Sequence, residues 1–175
     1  AYEDETHPKH DPASPFAGAI KKYHKYLDKK IAELVECLPE DTTVFIVSDH
    51  ALYRFSHGDE GDVRVDWRTP YDRGPEKKPG HISRGSGTSV SLMGDEDGLV
   101  AITDNADPRI HLLLMLRATG KIVSKVPLFQ EGRSGTDVSV ACFEHADEDG
   151  VGRGVYSVII ENNWGRHRFP RSRPE

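Results

Sequence analysis

The first regular pattern of apolar positions lies between Ser14 and Pro39. Its members recur at spacings of three and four, which places them on one face of an α-helix: Ile20, Tyr23, Leu27, Ile31, Leu34 and Leu38. Ser14 suits the N-cap and Pro15 the first helical position, and Pro39 cannot continue a helix. The pattern therefore predicts an amphipathic helix that begins near Ser14 and ends before Pro39.

A short β-branched run follows at residues 42–48 and predicts a buried strand. A helix joined to a strand by a tight turn is typical of half of a β-α-β crossover. The strand ends at Asp49 and His50, and in open α/β sheets ligands bind at the carboxyl ends of strands. A carboxylate beside an imidazole suits a divalent metal, zinc in particular. The alternative is that the two residues merely begin a loop.

Residues 51–87 are rich in glycine, proline and charge, and only residues 63–67 alternate like a short strand. We predict a long loop or insert here, and loops of this length in compact domains usually serve function. His57 and His81 lie within it, and either could reach a metal at Asp49 and His50. A solvated loop histidine is the simpler interpretation of each.

Residues 88–175 hold the remaining predicted elements. A second helix is predicted from Asp107 and Pro108 to just before Gly120, with Ile110, Leu113 and Leu114 toward the core. Extended segments are predicted at residues 88–93, 99–102, 121–126, 136–143 and 155–160. Helices that alternate with strands predict an α/β layered domain, with a mixed sheet flanked by helices.

Composition limits the kinds of partner that the chain can bind and indicates the cellular compartment. The 175 residues are 36% hydrophobic and 30% charged, with a net charge of −6, which argues against general binding to nucleic acid or a membrane surface. No apolar run approaches the roughly 18–20 residues that span a bilayer. Cys37 and Cys142 form no CxxC pair, which favours reduced thiols in the cytoplasm. Since the chain begins at Ala1, we expect it to be part of a longer protein.

The order of motifs over residues 1–50 resembles the type I phosphodiesterase/nucleotide pyrophosphatase family of the alkaline phosphatase superfamily. The likeness is carried by a proline-rich lead-in at residues 4–12, by the helix at residues 20–31, and by the strand that ends in Ser48, Asp49 and His50. Farther along the likeness is weaker, and it follows residues 98–100, 120–121 and 161–163 in the order expected of the family.

The resemblance implies a metal-dependent phosphoric-ester hydrolase with two divalent metal ions, zinc or alternatively manganese. Asp49 and His50 map onto metal ligands. The downstream metal histidine would be His167, with His81 as the rival candidate. The nucleophile, a threonine or serine, is expected upstream of Ala1, so the resemblance assigns no catalytic residue to this chain. The implied substrate is a phosphate ester or a nucleotide-like small molecule.

The resulting domain prediction is a single partial domain over residues 1–175, with an alkaline-phosphatase-like layered fold. Residues 1–50 would form the helix and the metal-bearing strand, residues 51–87 a loop or insert, and residues 88–175 the other strands and helix. The alternative is a degenerate, catalytically inactive domain with a binding or structural role. Ala51, where the family has glycine, and the arginine-rich end around Arg166 favour that alternative.

Overall fold

The computed structural model describes residues 18, 22, 25–26, 29–30, 33, 37–39, 41–58, 62–81, 84–145 and 154–165. The chain divides into two compact units, Ala1–Thr42 and Thr43–Glu175.

In the first unit the described residues between Lys22 and Glu33 are helical. The Lys22 amide donates to the Gly18 carbonyl over 2.9 Å, and Lys30 pairs with Glu33 over 2.6 Å. Gly18, Cys37 and Leu38, at the two ends of the predicted first helix, lie in turns or bends, and the remaining residues of that prediction are outside those described. Nowhere in the described part of the chain does a helix have the length and apolar character needed to cross a membrane.

The described part of the second unit contains antiparallel strands only. In chain order they are β1 (Val44–Val47), β2 (Ala51–His57), β3 (Val63–Pro70), β4 (Ser91–Met93), β5 (Leu99–Thr103), β6 (His111–Leu116), β7 (Ile122–Pro127), β8 (Ala141–His145) and β9 (Val155–Ile159). They form three sheets of consecutive strands: β1–β2–β3, β4–β5–β6–β7 and β8–β9. The predicted α/β layered fold, with a mixed sheet flanked by helices, is therefore wrong.

One face of the β4–β7 sheet packs against the β1–β3 sheet. Leu52 of β2 lies in this layer with Val100 and Ile102 of β5 and with Leu113 and Met115 of β6, and all five side chains are buried. Their positions follow the period of two along a strand, which sends alternate side chains to the same face. The largest apolar layer of the unit thus lies directly behind the β1–β2 hairpin.

The opposite face of the β4–β7 sheet is covered by the β8–β9 hairpin. Ala101 of β5, Leu112 of β6 and Val140 are buried there, with Cys142 and Val158 packed against them. Because both faces are covered, every position of the central strands favours an apolar residue.

This double burial explains why the predicted second helix is wrong. Residues 111–116 form strand β6, which Ile110 precedes, and His111 is the one polar residue of this segment. The three-and-four spacing of Ile110, Leu113 and Leu114 arose because nearly every position is apolar. A helix on the surface of a domain would need a polar face, which this segment lacks.

The loop prediction for residues 51–87 is wrong over β2, and the short strand predicted within it at residues 63–67 is confirmed as part of the longer β3. In β2 the polar Arg54 lies on the same side as the buried Leu52 and donates to the carbonyl of Arg117, whereas the outer positions Tyr53 and Phe55 are aromatic, so the usual alternation of apolar inner and polar outer positions is absent. The strand predicted at residues 42–48 is confirmed as β1, but it pairs antiparallel with β2 and is half-exposed at Ile46. The strands predicted at residues 99–102, 121–126 and 155–160 are confirmed as β5, β7 and β9.

Candidate functional site

Asp49 and His50 form a tight turn between β1 and β2. The Ser48 amide donates to the Ala51 carbonyl over 2.9 Å, and the Ala51 amide donates back to Ser48 Oγ over 3.1 Å. These bonds close the hairpin on both sides of the two residues. The expected position at the end of a strand is correct, but the strand end is a hairpin turn rather than the edge of a parallel sheet.

The Asp49 carboxylate has a partner on each oxygen. His50 Nδ1 lies 2.6 Å from Oδ1, and Arg73 Nη2 donates to Oδ2 over 2.7 Å. The hydrogen bond with His50 is the main reason that the Asp49 pKa lies below its usual value of 3.8; partial desolvation opposes this effect, and the positive charge of Arg73 adds to it. Asp49, His50 and Arg73 are each between a third and a half exposed. Solvent and small ligands can therefore reach all three side chains.

A second segment holds the turn from the side of residues 84–86. The Tyr71 hydroxyl donates to the Ser48 carbonyl and accepts from the Ser86 amide over 3.0 Å. Burial raises the pKa of Tyr71, which keeps the hydroxyl protonated as a donor. Gly85 lies directly against the backbone of Asp49. The position of the carboxylate is thus determined by backbone contacts as well as by the hairpin.

Arg73 is positioned from within the core. Asn105, which is fully buried, donates from Nδ2 to the Arg73 carbonyl over 3.0 Å and from its amide to the Asp72 carbonyl over 2.8 Å. The sequence did not indicate Arg73 or Asn105 as site residues, because they lie 24 and 56 positions after Asp49. Residues 72–74 fall in the segment predicted as a loop or insert, and nothing in the sequence connected them to residues 49 and 50.

A buried polar cluster supports the same region. Lys78 is 5% exposed and donates from Nζ to the carbonyls of Ala106 and Ser134, the latter over 3.1 Å. Burial lowers the Lys78 pKa. The Asp104 carboxylate accepts from the His111 amide over 2.7 Å and lies 3.4 Å from Lys125 Nζ. These contacts satisfy backbone groups between the end of β5 and the start of β6 and in the loop after β7, which indicates a structural role.

The other histidines proposed from the sequence lie elsewhere. His57 lies at the opposite end of β2 from His50. At the usual rise per residue of a strand, the two residues are about 20 Å apart. His81 is buried and lies 3.4 Å from Asp137 Oδ1. His167 falls outside the described residues. Within the ranges that the structure describes, no three histidine, cysteine, aspartate or glutamate side chains come together in a way that could hold a metal ion.

The turn itself fits a metal only in part. A carboxylate bonded to Nδ1 leaves Nε2 of His50 as the nitrogen free to bind a metal, an arrangement that orients many metal-binding histidines. In this geometry Asp49 supports the imidazole and has Arg73 on its other oxygen, so it does not act as a second ligand. The described residues therefore offer one oriented imidazole, and a two-metal centre with Asp49 and His50 as ligands stays a prediction.

Comparison with known proteins yields one distant relative. The chain is 31% identical over 132 residues to an uncharacterized protein of Archaeoglobus fulgidus, and the match covers 73% of this chain and 24% of the relative. The chain thus spans about a quarter of the length of the relative it matches. No family model matches the chain. No solved structure matches it either.

The ionisation of Asp49 tests this arrangement. We expect the Asp49 pKa, measured by carbon NMR of the carboxyl group, to lie below 3.8 in the wild type. His50→Leu should raise it more than Arg73→Gln does, because the His50 hydrogen bond is the larger cause. An equal or larger rise in Arg73→Gln would show that the ion pair, and not the hydrogen bond, dominates at the turn.

Proposed function

We propose that this chain contributes the Asp49–His50 pair to a metal-dependent phosphoric-ester hydrolase of the phosphodiesterase/nucleotide pyrophosphatase type. The observation that supports it most is the exposed turn at residues 49 and 50. There the Asp49 carboxylate lies 2.6 Å from the imidazole of His50 and 2.7 Å from the guanidinium of Arg73. The motif order of residues 1–50 is the second support. The expected substrate is a phosphate ester or a nucleotide-like small molecule.

Each of the three side chains has a separate task in this proposal. Asp49 accepts the Nδ1 proton of His50, which keeps the lone pair of Nε2 directed away from the carboxylate. Arg73 supplies a planar cation that can bind a phosphoryl oxygen. A zinc or manganese ion bound at such a site would supply Lewis-acid stabilisation of the phosphoryl oxygens. We assign no nucleophile to the described residues.

A binding or structural role without catalysis is the second candidate. The observation that favours it is the ion pair itself, because Arg73 occupies the Asp49 oxygen that would otherwise be open to a metal ion. The fully antiparallel sheets also differ from the parallel strand end expected of a hydrolase of this family. In this version the Asp49–Arg73 pair would stabilise the hairpin.

The proposed compartment is the cytoplasm. Cys37 and Cys142 are both free thiols, and Cys37 is exposed. Exposed thiols persist in a reducing environment, which supports this proposal.

The test uses the natural gene product that contains this chain. We expect hydrolysis of bis(4-nitrophenyl) phosphate or 4-nitrophenyl phosphate with zinc or manganese. Asp49→Ala should lower it by about 10–100-fold, the usual loss when the partner that orients a metal-binding histidine is removed. Asp97→Ala, an exposed aspartate on another loop, is the matched control and should retain full activity.

Metal analysis of the same preparations separates the two candidates. Stoichiometric metal in the wild type and in Asp97→Ala, but not in Asp49→Ala, would support the hydrolase. Absence of both metal and hydrolysis from the wild type would favour the binding role. Full turnover in Asp49→Ala would overturn the assignment of the site.

A further inference from the structure

A cavity of about 520 Å³ lies between the segment after β9 and two loops of the second unit. It is lined by Pro79, Arg133, Asn162, Trp164 and Gly165. Its volume falls in the range of small-molecule sites, about 300–1,000 Å³. None of its lining residues belongs to the Asp49–His50 turn, so it is a separate place on the molecule.

The cavity wall is held by hydrogen bonds that link three segments. Asn162 donates from Nδ2 to the Arg133 carbonyl over 2.8 Å and accepts the Trp164 amide on Oδ1 over 3.2 Å. The Gly165 amide donates to the Pro79 carbonyl over 2.8 Å. These bonds hold the backbones that carry Arg133, Trp164 and Pro79 next to one another before any ligand arrives, which lowers the ordering cost of binding.

The buried neighbour Asn163 anchors this wall to the body of the sheet unit. Asn163 is 4% exposed, donates from its amide to the Gly135 carbonyl over 3.0 Å, and accepts the Asp137 amide on Oδ1 over 3.2 Å. The segment that carries Trp164 is therefore fixed at its base.

The lining has a distinct chemistry. Trp164 and Pro79 present flat apolar surfaces, and Arg133 presents an exposed guanidinium. Among the described residues Arg133 forms no ion pair, and the nearby Glu131 is paired with Arg109 instead, over 3.4 Å. An aromatic wall with an available planar cation is complementary to a flat ring that carries a negative group.

We propose that this cavity binds a planar aromatic anion, with the ring against Trp164 and Pro79 and the anionic group on Arg133. The anionic group is a carboxylate or a phosphoryl group, since a guanidinium can bind either in the same forked geometry. This site is independent of the hydrolase proposal and makes no use of Asp49 or His50.

Equilibrium dialysis of the full chain tests the proposal with 2-naphthoate and 2-naphthylphosphonate, neither of which is a hydrolase substrate. We expect one saturable site per chain for at least one of the two probes, and the tighter probe identifies the anionic group. The neutral 2-naphthamide should bind about tenfold or more weakly, which corresponds to losing one charge-assisted contact of about 1.4 kcal/mol.

Arg133→Gln and Trp164→Leu should each weaken binding of the tighter probe by about tenfold, whereas Arg64→Gln, an exposed arginine on β3, should not change it. Circular dichroism melts establish that each variant is folded. Binding that is absent up to millimolar probe, or that Arg64→Gln weakens as much as Arg133→Gln, would overturn the proposal. Binding that persists in Asp49→Asn while hydrolysis is lost would separate this site from the proposed active site.

Discussion

Replacing Gly85 with alanine is expected to lower the free energy of unfolding by about 2–5 kcal/mol, as the sum of backbone strain and overpacking. Gly85 has φ +100°, where L-residues are rarely found. A Cβ added there would lie 2.2 Å from the carbonyl oxygen and 2.6 Å from the Cα of Asp49. Because both contacts are with backbone, the β1–β2 turn or residues 84–86 must move.

The matched control is Gly132→Ala. Gly132 also has positive φ, +70°, but a Cβ there would meet no atom within 4 Å. Gly132→Ala should lower the free energy of unfolding only by the backbone strain of an L-residue at positive φ, about 1–2 kcal/mol. Urea unfolding measures both variants. Equal losses in the two would show that Gly85 is needed for its φ alone and does not press against the site turn.

Leu113→Ala is expected to destabilise the protein by about 2–5 kcal/mol, the range for a large core side chain that leaves a cavity. Leu113 is 2% exposed and packs in the layer between the β1–β3 and β4–β7 sheets. Leu112→Ala should cost a comparable amount, since Leu112 is 7% exposed and packs on the opposite face. Adjacent residues that are both sensitive distinguish a strand covered on two faces from an amphipathic helix.

Leu92→Ala provides the comparison for the same chemical change. Leu92 lies on β4 and is 50% exposed, so its removal should cost less than about 1 kcal/mol. Thermal or urea unfolding of the three variants gives the ranking directly. A loss at Leu92 as large as that at Leu113 would contradict the described layer arrangement.

The strands that the sequence predicted correctly are those with local cues. β5, β7 and β9 are short β-branched or apolar runs bounded by turn residues, and Gly98 and Gly120 mark the turns before β5 and β7. β6 was missed because a strand covered on both faces and a buried helix segment have the same apolar content. β2 was missed because the polar Arg54 lies on the same side of the strand as the buried Leu52, which breaks the alternation of apolar inner and polar outer positions. The short strand predicted at residues 63–67 is confirmed within β3.

The candidate site likewise has one part that the sequence predicted and another that only the structure shows. The sequence placed Asp49 beside His50 at a strand end, because adjacency and the turn are local properties. The contact with Arg73 required the 71–74 segment to lie against the hairpin, and that position depends on Asn105 and on the close approach of Gly85. No local pattern encodes such contacts.

The sequence by itself determined where the apolar runs lie, which residues can turn the chain, and that a carboxylate and an imidazole stand side by side at residues 49 and 50. The tertiary structure alone decided that the strands pair antiparallel, that Asp49 lies between His50 and Arg73, and that Trp164 and Arg133 share one cavity. The physical reason is that burial on both faces of a sheet and contacts between distant segments depend on the packing of the whole unit. The run at residues 42–48 shows the difference: its own residues predict a strand, and its pairing with β2 determines that the strand leads into the turn that carries Asp49 and His50.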